Sequence, residues 1–116
     1  MNEIPVREVI YMFEAYGLHK MFNDAHIEHD FRRFHDGYQV RIFNKDKSKQ
    51  LCDAVIHSFS YGNEKGLFEI QGAVTKQEEE NDCKDGIKGY LTAEEVFKRF
   101  KYCYENETDV YAEGNE

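Results

Sequence analysis

The stretch His26-Ile27-Glu28-His29-Asp30-Phe31-Arg32-Arg33-Phe34-His35-Asp36-Gly37-Tyr38-Gln39-Val40-Arg41-Ile42-Phe43 decides the fold. Ile27, His29 and Phe31 alternate with Glu28, Asp30 and Arg32, and Tyr38, Val40 and Ile42 alternate with Gln39, Arg41 and Phe43. A period of two places successive side chains on opposite faces of a strand. Between the runs stands Asp36-Gly37, whose glycine supplies the positive φ of a tight hairpin turn. Two antiparallel strands follow, and the rest of the fold grows outward from them.

Downstream, the polar run Asn44-Lys45-Asp46-Lys47-Ser48-Lys49 reads as a turn and Leu51 to Phe59 as a third strand. Tyr61-Gly62-Asn63-Glu64-Lys65-Gly66 is a second turn, leading to a fourth strand over Leu67-Phe68-Glu69-Ile70-Gln71-Gly72. Connections this short favour an antiparallel meander over parallel crossovers. Upstream, Pro5 suits a first helical turn, and Val6, Val9, Ile10, Phe13 and Tyr16 recur at steps of three and four. A helix is expected over 5–22 with those residues as its apolar face, and Gly17 interrupting or ending it. At the other end, Thr92 with Glu95 three residues on forms a capping box, followed by the stripe Val96, Phe97, Phe100, Cys103 and Tyr104. That predicts a helix over 93–105.

Residues 73–89 read as a polar, acidic, mobile connection. The expected fold class is therefore α+β, a four-stranded antiparallel sheet in the order α-β-β-β-β-α. Both helices cover one face, and Arg32, Arg41, Asp53 and His57 lie on the open one. A single domain is expected over 1–105, with an acidic tail fraying over 106–116.

Composition narrows the function classes. With 41% apolar and 33% charged residues, 116 residues can build one core and are not a disordered polyelectrolyte. The longest uncharged apolar run, Val9 to Phe13, is far short of the ~20 residues needed to span a bilayer. No secretory pattern is read at the start, so neither a membrane protein nor an exported precursor is expected. Cys52, Cys83 and Cys103 are widely spaced, without a CxxC, and read as reduced thiols in a cytosolic chain. The formal charge is −8, of which −7 falls within residues 77–116. Such a surface repels phosphate backbones, so general DNA or RNA binding is disfavoured and a basic protein partner is favoured.

Four candidate chemistries each stand beside a blander reading. His26, His29 and His35 with Cys52 suggest a metal site, but strand parity sends positions 26 and 29 to opposite faces. Asp30, Asp53, Glu69 and His57 suggest acid–base work, although alternating charges on an open sheet face ordinarily form cross-strand pairs. No GxSxG, HExxH or P-loop spacing is present, and parity separates Cys52 from His57. No enzyme activity, metal or cofactor is expected. Lys45, Lys47 and Lys49 with Arg32, Arg33 and Arg41 compose either a small RNA-touching patch or a solvated hairpin. The acidic segment 78–85 and the tail 105–116 are either solvated runs or mimics of phosphates. Tyr61, Tyr90, Tyr102, Tyr104 and Tyr111 add interface-prone aromatics.

Two segments carry a resemblance: Ser58-Phe59-Ser60-Tyr61-Gly62 with Gly66-Leu67-Phe68-Glu69-Ile70, and Gly89-Tyr90-Leu91-Thr92-Ala93-Glu94-Glu95-Val96-Phe97. Over residues 38–104 the chain resembles small acidic proteins carried by phages and other mobile elements of Gram-positive bacteria. That class includes type II-A anti-CRISPR proteins, inhibitors of Cas9. The resemblance implies a cofactor-free inhibitor acting in the bacterial cytoplasm, obstructing guide RNA loading or target DNA engagement. The alternative is a phage or plasmid accessory protein that binds another host protein as a regulator. Expected contact residues are Glu78, Glu79, Glu80 and Asp82, then Tyr61, Arg41, Lys45, Lys47 and Lys49. Either an exposed edge strand or an aromatic helix face would support a dimer.

Overall fold

The computed structural model describes residues 3–112. Its elements are α1 (Val6–Asp24), β1 (Asp30–Phe34), β2 (Gly37–Phe43), β3 (Gln50–Ile56), β4 (Phe68–Gln71), α2 (Lys76–Asn81), β5 (Ile87–Leu91) and α3 (Ala93–Asn106). Single 3-10 turns lie at Asn63–Lys65 and Lys84–Gly86. The fold is α+β, with one antiparallel sheet in the order β1-β2-β3-β4-β5. It has five strands where four were expected. The fifth comes out of the supposedly mobile connection, which instead folds as α2, a 3-10 turn and β5. The third strand stops at Ile56, because the chain turns at His57–Ser60 with the Ser60 amide donating to the His57 carbonyl at 3.0 Å.

The alternating residues do divide between two faces. Tyr38, Val40, Ile42, Cys52, Ala54, Ile56, Phe68 and Ile70 face a core completed by Leu18 and Phe22 of α1 and by Val96, Phe100 and Cys103 of α3. Phe22 joins the two helices, with ring centroids 5.4 Å from Phe97 and 6.2 Å from Phe100. Burying such side chains contributes ~1.5–3 kcal/mol each and accounts for most of the driving force for folding.

Helix α1 turns a different face inward from the one its apolar spacing suggests. Tyr11, Ala15, Leu18 and Phe22, at steps of four, three and four, are fully buried. Val6 and Phe13 are each 76% exposed, and Val9, Ile10 and Tyr16 are also exposed. The helix is apolar nearly all round, so two stripes compete, and the one that takes the core is the one that meets the sheet and α3 through Leu18 and Phe22. Gly17 neither interrupts nor ends the helix, which runs on to Asp24.

The first hairpin closes through His35-Asp36, and the left-handed residue is His35 at φ 53°. Gly37 is needed for a different reason: a Cβ there would lie 1.8 Å from the Ile56 carbonyl oxygen on the neighbouring strand. The tail does not fray directly after α3. The Ala73 amide donates to the Asp109 carbonyl (2.8 Å) and the Tyr111 amide to the Val74 carbonyl (3.0 Å), and Val74 and Val110 form a parallel bridge. Residues 113–116 lie outside the described residues.

Candidate functional site

On the outer sheet face, Arg32 Nε donates to Gln39 Oε1 (2.7 Å) and Gln39 Nε2 donates to Asp53 Oδ2 (3.0 Å). This polar chain crosses β1, β2 and β3. Asp53 is only 9% exposed, and His57, which lies among the Phe34, His35 and Phe59 rings, only 7%, so neither is open to solvent as expected. Burial pushes the Asp53 carboxyl up. The four candidate acid–base groups are each engaged separately. Asp30 accepts from Arg41 Nε at 2.7 Å, Asp53 holds Gln39, Glu69 accepts the Tyr61 amide at 2.9 Å, and His57 Nδ1 accepts the Phe59 amide at 3.1 Å. That last bond leaves the neutral His57 ring with its proton on Nε2, and burial together with His35 lowers its pKa. Cys52 is buried in the core, where desolvation raises its thiol well above the usual range.

The histidines pair in a way that spacing does not show. His29 precedes β1 rather than lying on a strand, so the parity argument does not apply to it. Its Nδ1 lies 2.8 Å from the Ile27 carbonyl, to which it must donate. Its Nε2 then accepts from His19 Nδ1 at 2.7 Å, leaving His19 Nε2 to accept from Asn23 Nδ2 at 3.3 Å. His26 and His35 are outside this chain, and the His35 ring instead lies tilted against His57, 4.8 Å between centroids. Among the described residues no group of three or more His, Cys, Asp or Glu side chains is placed to hold a metal ion.

The acidic segment is ordered. Thr75 and Glu78 form a second capping box: Thr75 Oγ1 accepts the Glu78 amide at 3.0 Å, and Glu78 Oε1 accepts the Thr75 amide at 2.9 Å. Arg99 of α3 holds both Glu78 carboxylate oxygens, and Lys88 Nζ stands 3.5 Å away. The Arg99 hydrogen bonds, aided by the Thr75 amide, hold the Glu78 carboxyl down at about 2 despite its partial burial. Glu78 is therefore a fastening of α2, not an outward contact. Glu79, Glu80 and Asp82 are exposed on the support it secures. Glu79, Asp85 and Asp109, with Asp53, line a cleft of about 440 Å³ that also touches Lys76.

The basic candidates do not gather. Arg41 pairs with Asp30 and lies over the Phe43 ring at 5.3 Å. Lys45 lies over Tyr104 at 5.7 Å, Lys47 pairs with Glu28 at 3.0 Å and Lys49 stands 3.9 Å from Asp109. Each cation of the second hairpin thus has an anion or a ring beside it, which favours the solvated-hairpin reading over an RNA patch. Tyr61 is 63% exposed and stands apart with Tyr90, which is 52% exposed. The Tyr90 amide donates to the Tyr61 carbonyl at 3.4 Å, and its hydroxyl donates to Glu64 at 3.0 Å.

Two features escape sequence reasoning. The outward apolar row of α1 hides among residues that look equally suited to the core. The Thr75–Glu78 box has the same T-x-x-E spacing as Thr92–Glu95, but no apolar run follows it. No described helix is long and apolar enough to cross a membrane. Compared with protein-family models, curated proteins and solved structures, the chain matches none.

Proposed function

We propose that this chain is a non-enzymatic inhibitor that lays its acidic α2 surface in a basic, nucleic-acid-binding groove of a protein partner. The observation that carries the reading is the fastening of α2. Thr75 and Arg99 hold Glu78, so Glu79, Glu80 and Asp82 stand exposed on ordered backbone. Carboxylates fixed in this way lose little freedom on docking and can satisfy arginines that would otherwise hold phosphates. The formal charge of −8 would speed encounter with a cationic surface.

The resemblance to type II-A anti-CRISPR proteins makes Cas9, in the bacterial cytoplasm, the proposed partner. Its channel for the guide–target heteroduplex is positively charged and read through backbone contacts. Guide loading is the proposed point of interference. The test adds the chain to Cas9 before or after guide RNA and follows target cleavage. Inhibition is expected only when the chain comes first. The variant Glu79→Lys/Glu80→Lys/Asp82→Lys should then bind at least about tenfold more weakly, with a flatter salt dependence. Full cleavage in both orders of addition, or inhibition unchanged by the triple variant, would overturn the proposal.

A further inference from the structure

The side of α1 turned away from the core carries a continuous apolar line. Val6, Ile10, Phe13 and Gly17 follow one another at steps of four, three and four, so they form one line along the helix, opposite the buried line of Tyr11, Ala15, Leu18 and Phe22. Val9 and Tyr16 widen this outer line on one flank, and Ile4 extends it before the first turn. At exposures from 41% to 76%, these side chains present on the order of 600 Å². That is the upper end of what a monomer leaves open, and it approaches the ~800 Å² per partner of a standard interface.

We propose that two copies associate through α1, antiparallel and related by a two-fold axis, with Ile10 of each facing Phe13 of the other. In that register Val6 lies over Gly17 of the second copy. Gly17 offers a matching notch, since a Cβ there would meet nothing within 4 Å. A two-fold interface must be self-complementary, and this line carries both knob and hole. The charges agree with it. Arg7 and Glu14 lie on the same flank of the line, two turns apart. An antiparallel copy brings each Arg7 towards the other copy's Glu14, twice by symmetry. Glu14 has no cationic partner among the described residues, and burial with Glu94 raises its carboxyl. Arg7 reaches Asp36 only at 3.6 Å and is itself 59% exposed, so its guanidinium is free to turn.

Sedimentation equilibrium of the full chain across the micromolar range tests this. A dimer is expected, with its dissociation constant raised at least about tenfold by Phe13→Glu. Gly17→Gln is the sharper variant. It fills the notch at a position with open space around it and replaces a poor helix former, so thermal stability of the monomer should hold or rise while the dimer weakens. Arg7→Glu should also weaken the dimer, and Arg7→Glu with Glu14→Arg should recover it. A monomer at every concentration, or a dimer indifferent to Phe13→Glu and Gly17→Gln, would overturn the proposal.

Discussion

Arg99 grips Glu78 through two parallel hydrogen bonds, Nη1 to Oε1 at 2.8 Å and Nη2 to Oε2 at 2.9 Å, tying α3 to the cap of α2. Arg99 also donates to the Ala73 carbonyl at 3.0 Å and lies over the Tyr111 ring at 4.9 Å. One guanidinium thus gathers the segment before α2, its cap and the returning tail. A six-residue helix does not hold itself in water, so this attachment accounts for its order.

The Glu78 carboxyl, held near 2 when folded against 4.5 when free, gives a pH dependence of definite sign. The unfolded chain takes up this proton first as pH falls. The stabilisation is complete above about pH 5 and is lost as pH drops towards 2. With the side chain only 21% exposed, Glu78→Gln should lower stability at pH 7 by ~2 kcal/mol and flatten the acid limb of the unfolding curve. Gln can still complete the capping box, so the variant isolates the charge. Urea midpoints at pH 7 and pH 3 that shift equally would sink this account.

The first hairpin supplies a second prediction. Because a Cβ on Gly37 would sit 1.8 Å from the Ile56 carbonyl oxygen, Gly37→Ala must push β2 away from β3. The expected loss is ~3 kcal/mol or more, since backbone and not a flexible side chain has to yield. His35→Gly, by contrast, should be neutral or slightly stabilising, because it relieves a positive φ of 53°. Thermal unfolding of the two variants separates close approach from turn conformation as the reason for glycine here.

These two residues also show where sequence reading reaches and where it stops. Alternation from Phe31 to Ile42 and the Thr92–Glu95 box place two strands and α3 because each signal is local: strand parity and a cap need no knowledge of neighbours. Gly37 is legible as special, yet its reason lies across the sheet at Ile56. The inner face of α1 is a tertiary choice between two apolar lines, and nothing within the helix records which one meets Phe100. Glu78 has the same limit. Its charge is plain in the sequence, while the Arg99 that removes it from the outer surface lies 21 residues away. Sequence places Glu79, Glu80 and Asp82 correctly on the surface, but not the support beneath them.

His19 and His57 act against stability in acid. Burial depresses both, aided by His29 and His35 respectively, so the folded chain binds fewer protons than the unfolded chain just below pH 6.5. Stability should be complete above that value and fall as pH drops from it towards the depressed values. Protonating His57 at Nδ1 would also break the hydrogen bond it accepts from the Phe59 amide. His19→Gln/His57→Gln should be less stable than the parent at pH 7.5, yet lose less of its stability on going to pH 5.5. Equal losses in chemical denaturation would show that these rings are not the source.

Tyr11, fully buried in α1, donates its hydroxyl to Asn63 Oδ1 at 2.7 Å, and Asn63 Nδ2 donates to the Ser60 carbonyl at 2.6 Å. That relay fastens the loop from Ser58 to Gly66, and with it exposed Tyr61, to the core. Tyr11→Phe keeps the ring's packing and leaves Asn63 Oδ1 without its donor, so the expected loss is ~1–2 kcal/mol. The loss should be local in its dynamics. The amides of Ser60, Gly66 and Leu67, bonded to His57, Asn63 and Gly62 carbonyls, should exchange with solvent several-fold faster. Amides of β2 and β3 should slow or quicken only with global stability. Hydrogen exchange that rises uniformly across the sheet and loop would mean that Tyr11 serves the core alone, and that Tyr61 is held in place by Glu69 and Tyr90 without help from α1.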